Sequence, residues 1–344
     1  MRVAVCTGSI PLRAPRVTSA TRLRMGSEQV KLADCPVFPA EAGNALSTDR
    51  GLGWHLARQA GPVLRHPAVT GMFANFVFVV GREEVLANLD DASLDRARAL
   101  PESDLQVHEQ LFAPKSAHDV AAVFRPTAAA LIGCFAEAGG GDAVADVTEP
   151  MTDALVDCVS RLRLLPVEHL NGRSGHVFAE ACRNLFKHAG WHLLELARNP
   201  ELCDVLRRQP GLVREFIEEI LRLEPLVPSC QRFTTQPTTV GEVELPADVV
   251  LNLCIGAVQR DGSDPMSTDD LVIGVRAHRH WTLGAGSMRC RGGHIVRQVL
   301  RVLVEEWLDR AGHLEPDAGF RPATEFPATQ SALWLPELPL VTRA

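Results

Sequence analysis

The chain has 344 residues, 46% hydrophobic and 22% charged, which is globular composition with ample length to bury a core. Its formal charge of -7 removes any general case for a nucleic-acid partner, and nine scattered cysteines with no CxxC pair argue against a disulfide framework or a structural zinc site. No unbroken apolar run approaches membrane-span length, and Met1 to Cys6 is too short for a signal peptide, so the expectation is a cytoplasmic protein with no membrane partner.

Residues 1–48 are rich in Pro, Arg, Ser and Thr without sustained periodicity. They read as a loosely ordered lead-in to one domain over residues 49–344. Leu52 to Ala60 predicts a short helix, broken by Gly61-Pro62. The β-branched and aromatic run Phe76 to Val80 predicts a buried strand, and Arg82 to Leu89 a helix after the turn at Gly81. Val120 to Ala138 predicts a helix stopped by Gly139-Gly140-Gly141, and Asp153 to Leu164 another, stopped near Pro166. Only Val167 to Gly175 then precedes a long helix, His176 to Arg198. That helix puts Phe178, Cys182, Leu185, Phe186, Ala189 and Leu193 on one side, and Asn199-Pro200 ends it. Left exposed, the face bearing Phe178 and Phe186 would be a docking surface.

Glu215 to Leu223 predicts a helix on which Glu219 and Arg222, three apart, share a face. Val240 to Leu253 predicts a hairpin turning at Pro246-Ala247-Asp248, and Ser331 to Val341 a final hairpin. Between them runs Arg279-His280-Trp281-Thr282-Leu283-Gly284-Ala285-Gly286-Ser287-Met288-Arg289-Cys290-Arg291-Gly292, followed by a helix to about Leu308. Gly284 and Gly286 can take backbone angles closed to other residues and let the chain approach a flat ligand. Cys290 opens a helix, where free amides and the helix dipole favour a thiolate, which is a metal ligand or a nucleophile. The reading in which Cys290 is only a buried residue in a glycine-rich turn stays open on these residues alone.

The order of residues resembles the cysteine-ligand loop of the cytochrome P-450 superfamily, Phe-Gly-x-Gly-x-His/Arg-x-Cys-x-Gly. Gly284, Gly286, Cys290 and Gly292 match, Leu283 stands for the Phe, and Met288 stands for the His or Arg. Upstream, Phe112-Ala113-Pro114, Glu219-x-x-Arg222, Arg232 and Arg260-Asp261 follow the family's order, with Gln259 in place of an Asn and Gly262 in place of a Pro. The resemblance runs from about Leu52 to Val341.

What it implies is a mainly α fold with small β-sheets, of cytochrome P-450 type, with a reduced distal lid, because two helices usually inserted before the long helix are missing. It implies haem b, with Cys290 as iron ligand, Gly284 and Gly286 at the cofactor, and Arg232 and His280 on its propionates. Glu219, Arg222 and Arg276 would form a buried triad. In the family's register Arg183 and Asn184 take the acid and first alcohol positions of the oxygen-activating pair, which makes them the candidate catalytic residues. The implied function is a haem-thiolate oxidoreductase, monooxygenase-like, acting on a small natural-product intermediate of bacterial secondary metabolism and served by ferredoxin and ferredoxin reductase. The alternative is a catalytically degenerate homologue that acts as an auxiliary protein for a glycosyltransferase.

Overall fold

The structure, a computed structural model, describes residues 3–5, 30–68, 75–91, 94, 109–165, 173–262, 268–274, 280–286, 289–323 and 334–343. The N-terminal elements are β1 (Val3–Val5), β2 (Val30–Lys31), α1 (Ala40–Thr48), α2 (Arg50–Ala60), β3 (Val63–Arg65), β4 (Phe76–Val79) and α3 (Arg82–Leu89). The helical middle holds α4 (Pro114–Glu137), β5 (Gly140–Asp142), α5 (Glu149–Arg161), α6 (Arg173–Arg198), α7 (Pro200–Arg208) and α8 (Val213–Leu223). Four strands follow: β6 (Cys230–Phe233), β7 (Thr238–Val240), β8 (Val243–Leu245) and β9 (Val250–Leu253). The chain ends with α9 (Ile255–Val258), β10 (Leu271–Ile273), α10 (Gly293–Arg310), β11 (Leu314–Pro316) and β12 (Pro339–Thr342).

The main core lies between α4, α5, α6, α8 and α10. Its broadest contact is α4 along α10, where Phe135 and Trp307 pack with ring centroids 6.0 Å apart. Arg125 on the same face reaches Glu305 and Glu306, each at 2.5 Å. α4 begins earlier than its periodicity suggests, because Pro114 sits in the first turn, where a missing N–H costs no hydrogen bond. Pro150 does the same for α5. By length and composition α4 is apolar enough to cross a membrane, with mean hydropathy 1.4, which no scan for an unbroken apolar run detects. It nonetheless buries Phe124, Ala128 and Ile132 in the main core. The Phe178 and Phe186 face of α6 is core as well, not a docking surface. Both rings are buried, and Phe186 lies 5.8 Å from Phe124.

Three further expectations are corrected. Residues 30–48 belong to the folded body: β2 pairs in parallel with β8, Phe38 packs on Phe78 at 4.6 Å, and α1 buries Ala42 and Leu46. Composition hides this, since β2 and Phe38 find their partners far along the sequence, although α1 packs on the adjoining α2. Val240 to Leu253 is not a hairpin. β8 pairs with β7 across Gly241-Glu242, while β9 pairs in parallel with β4 and antiparallel with β6. The Pro246-Ala247-Asp248 turn carries the chain from one sheet to the next, with Asp248 in the left-handed region at φ 63. The final strand, β12, finds its partners in β11 and β5 rather than in a local hairpin.

Candidate functional site

α8 is the platform of the site, packed on α10, α6 and β10. Its helical period brings Glu219 and Arg222 together in two parallel hydrogen bonds of 2.7 and 2.9 Å, with side chains 0% and 1% exposed. Such a pair is viable when buried only if its remaining donors and acceptors are satisfied. They are: Arg222 donates to the carbonyls of Gln259, Thr268 and Asp270, and Glu219 accepts from the Val272 amide at 2.9 Å. Arg276, the expected third member, lies outside the described residues.

The cysteine loop is held above this platform. Gly284 and Gly286 take φ values of 74 and 51, as their place in the loop predicts. A Cβ at Gly286 would also fall 1.8 Å from a carboxylate oxygen of Asp90, so a larger residue would have to displace that side chain as well as take a left-handed backbone angle. The loop closes on itself where the Cys290 amide donates to the Leu283 carbonyl at 2.7 Å, and Gly293 then donates to the Cys290 carbonyl at 3.2 Å to start α10. Met288 lies outside the described residues.

These features decide the comparisons. The family profile for Cytochrome P450 matches residues 160–263. An erythromycin C-12 hydroxylase of Saccharopolyspora erythraea is 34% identical over 125 residues, 36% of this chain and 31% of that protein. A cyclomarin C epoxidase of Salinispora arenicola is 31% identical over 123 residues, again 36% of this chain and 31% of that protein. The fold matches the crystal structure of CYP108D1 from Novosphingobium aromaticivorans with TM-score 0.68 at 19% identity, covering 90% of this chain and all of that one. By profile, by these relatives and by fold, the chain is similar to the bacterial cytochromes P-450. Its sequence match spans about a third of the length of these curated relatives.

A cytochrome P-450 holds haem through a cysteine thiolate. Cys290 is exposed on one side and backed by protein on the other. Burial on the protein side raises its thiol, against the pull of the Gly292 amide, Arg297 and the Gly293 amide. The expected amide donors are therefore in place, but on their own they do not outweigh desolvation. A bound cation would, because ligation selects the thiolate. A second observation fits the group. His280 is buried, its Nε2 meets Glu218 Oε2 at 2.8 Å, and its Nδ1 finds no partner among the described residues. A protonated ring would offer that N–H to a haem carboxylate.

The other candidates are placed differently. Arg232 is 4% exposed on β6 and donates to the carbonyls of Leu89 at 2.6 Å and Gln231 at 2.9 Å. Arg183 pairs with Glu180 one turn away on α6, at 3.2 Å, and both side chains are largely exposed. Its neighbour Asn184 is half-buried. Phe112, matched by the Phe-x-Pro signal, stands beside Gly292, where an added Cβ would come 3.5 Å from its ring and 3.7 Å from Cys290 Sγ.

Two residues close to the loop escaped the sequence reading. Glu218 takes His280 and, in a bidentate pair, Arg297 at 2.5 and 2.9 Å. Burial raises the Glu218 pKa, but the hydrogen bonds from His280 and Arg297 outweigh it and hold the carboxyl at about 2. Gln259, noted only as a departure from Asn, is 1% exposed and accepts from the Trp281 amide at 2.6 Å while donating to the Arg222 carbonyl at 2.8 Å. The doubled carboxylate Glu218-Glu219 was the one available signal for the first. Nothing local signalled the second.

Proposed function

We propose that this chain is a haem-thiolate oxidoreductase of monooxygenase type, with Cys290 as the iron ligand and a small natural-product intermediate as substrate. The observation that carries this reading is Cys290 at the mouth of α10, open on one side, with Gly284 and Gly286 in left-handed geometry before it. When bound, haem b supplies redox chemistry at iron, and thiolate ligation favours O–O cleavage. The chain's own residues hold and orient. The glycines let the backbone pass close to a flat ring, and His280 and Arg232 would meet its carboxylates. Arg183 would hold a substrate carboxylate only by leaving Glu180, and Asn184 would donate or accept a neutral hydrogen bond beside it.

The relatives named for erythromycin and cyclomarin support the substrate class. A small acidic electron carrier such as ferredoxin, with its reductase, is the proposed redox partner in the cytoplasm. It would meet the exposed arginines at 289 and 291.

The test is the absorption spectrum of the purified protein, reduced and exposed to carbon monoxide. The red-shifted Soret band of thiolate ligation is expected, and Cys290→Ala should abolish it. An unchanged band in Cys290→Ala would refute the assignment. The second reading, an auxiliary protein for a glycosyltransferase, draws on the short link at residues 166–172 and on the Arg183–Glu180 pair where an acid and an alcohol are usual. A haem-free chain that co-purifies with a glycosyltransferase would favour it.

A further inference from the structure

We propose that Glu218 and Gln259 are positioning residues that fix the Cys290 loop from outside it, so that the sulfur's location is set by α8 rather than by the loop itself. A segment with two left-handed glycines loses much backbone entropy on ordering. Its own bonds, from the Gly284 amide to Trp281 and from the Cys290 amide to Leu283, close the loop but do not fix it to the rest of the molecule, which its ends do. Glu218 holds both. One carboxylate oxygen meets His280 at the loop's entry at 2.8 Å, and both oxygens meet Arg297, seven residues beyond Cys290, at 2.5 and 2.9 Å. Gln259 adds a second hold at the entry. Its Oε1 accepts from the Trp281 amide at 2.6 Å, and its Nε2 donates to the Arg222 carbonyl at 2.8 Å and to Thr282 Oγ1 at 3.2 Å. Thr282 Oγ1 in turn donates to the Leu221 carbonyl at 2.5 Å.

All these contacts end on α8, which the buried Glu219–Arg222 pair ties to residues 268–272. The side-chain length at position 259 matters. Gln reaches the Trp281 amide and the Arg222 carbonyl at once, and Asn is one methylene too short to do both.

Hydrogen exchange of the full-length chain tests the clamp directly. Losing the charge-assisted bonds of Glu218 should speed local opening about tenfold or more, and losing the neutral bonds of Gln259 about threefold or more. Glu218→Gln and Gln259→Asn should raise exchange across residues 281–293 by those factors. Protection in α4 and in the second half of α10 should stay unchanged. Unaltered protection of the loop in both variants would overturn the proposal, and so would a uniform rise across the whole chain, which would mark a merely structural role. Should Glu218→Gln not fold, Arg297→Gln reads the half-buried arm of the same clamp with the same two outcomes.

In haem-loaded protein, where the inference rests on the proposed function, the same variants should shift the reduced carbon monoxide band away from the thiolate position. Exchange needs no haem, so failure of haem uptake by the wild type sinks the cofactor reading and leaves the clamp to be judged by loop protection.

Discussion

At the residue scale, spacing reveals a pair but not which pair. Glu218 and Glu219 stand four and three residues before Arg222, and both spacings bring side chains together on a helix. Burial decides between them. Glu219 faces inward and takes Arg222, while Glu218 faces the cysteine loop and takes His280 and Arg297. Arg222→Ala would leave the Glu219 carboxylate buried beside three carbonyls that have lost their donor. The cost of stranding such a charge is about 3–5 kcal/mol. We expect insoluble protein, or a large fall in the midpoint of urea unfolding. A soluble variant with the wild-type midpoint would show that the pair contributes little. Gly284 and Gly286 were legible because the backbone angles they take depend on residue type alone. Gln259 was not, because its role depends on where Trp281 and Arg222 lie in space.

At the element scale, α6 shows what periodicity conveys and what it hides. The 3.6-residue repeat correctly marks one apolar face, yet it says nothing about what covers that face, and here the main core does. The same helix carries two polar residues fully inside the protein. His188 and His192 are both 0% exposed, with ring centroids 5.4 Å apart. His188 contacts the Glu224 carbonyl, and His192 lies edge-on to Phe216. Burial lowers the pKa of His188 to about 4, and burial with the neighbouring His188 holds that of His192 well below its ordinary value.

The sign of the pH effect follows. Both rings are neutral in the folded protein and would titrate near pH 6.5 when unfolded. Their share of stability is complete above pH 6.5 and is lost as pH falls from 6.5 through 4. Glu218 acts in a lower window, from about pH 4.5 down to about 2, because its folded pKa is depressed. Glu195, whose pKa burial raises, has the opposite sign, and its contribution is lost as pH rises through the folded value. Urea unfolding at pH 7.5 and pH 5 should show a clear loss at the lower pH, and His192→Phe should flatten that slope. An equal pH dependence in wild type and variant would place the acid sensitivity elsewhere.

At the scale of the whole molecule, the fold is the most legible property and the distal side the least. Ordered matches spread from Phe112 to Cys290 give the architecture, since each marks a point that the fold must bring to the same place. The strand pairings were hidden because β9 chooses β4 and β6, far away in sequence, over its neighbour β8. The distal side depends on the link between α5 and α6, where residues 166–172 separate the last described residue, Leu165, from Arg173. That link is shorter than the stretch of about ten residues that one stable helix takes, which is the sequence-based ground for expecting an open distal side.

Beyond the link, the first turns of α6 carry exposed His176, Val177, Glu180 and Ala181. An active site open at that point admits water, which weakens every electrostatic contact inside and diverts reactive intermediates. The haem-loaded chain alone, supplied with ferredoxin and reductase, should therefore consume reductant with little of it appearing in product. The ratio of product formed to reductant oxidised measures this, with hydrogen peroxide release as the complement. A partner protein from the same biosynthetic pathway that covers the first turns of α6 should raise the ratio, since a standard interface of about 1,600 Å² is enough to exclude solvent. Efficient, tightly coupled turnover by the isolated chain would show that the distal side closes without help and that the short link is no defect.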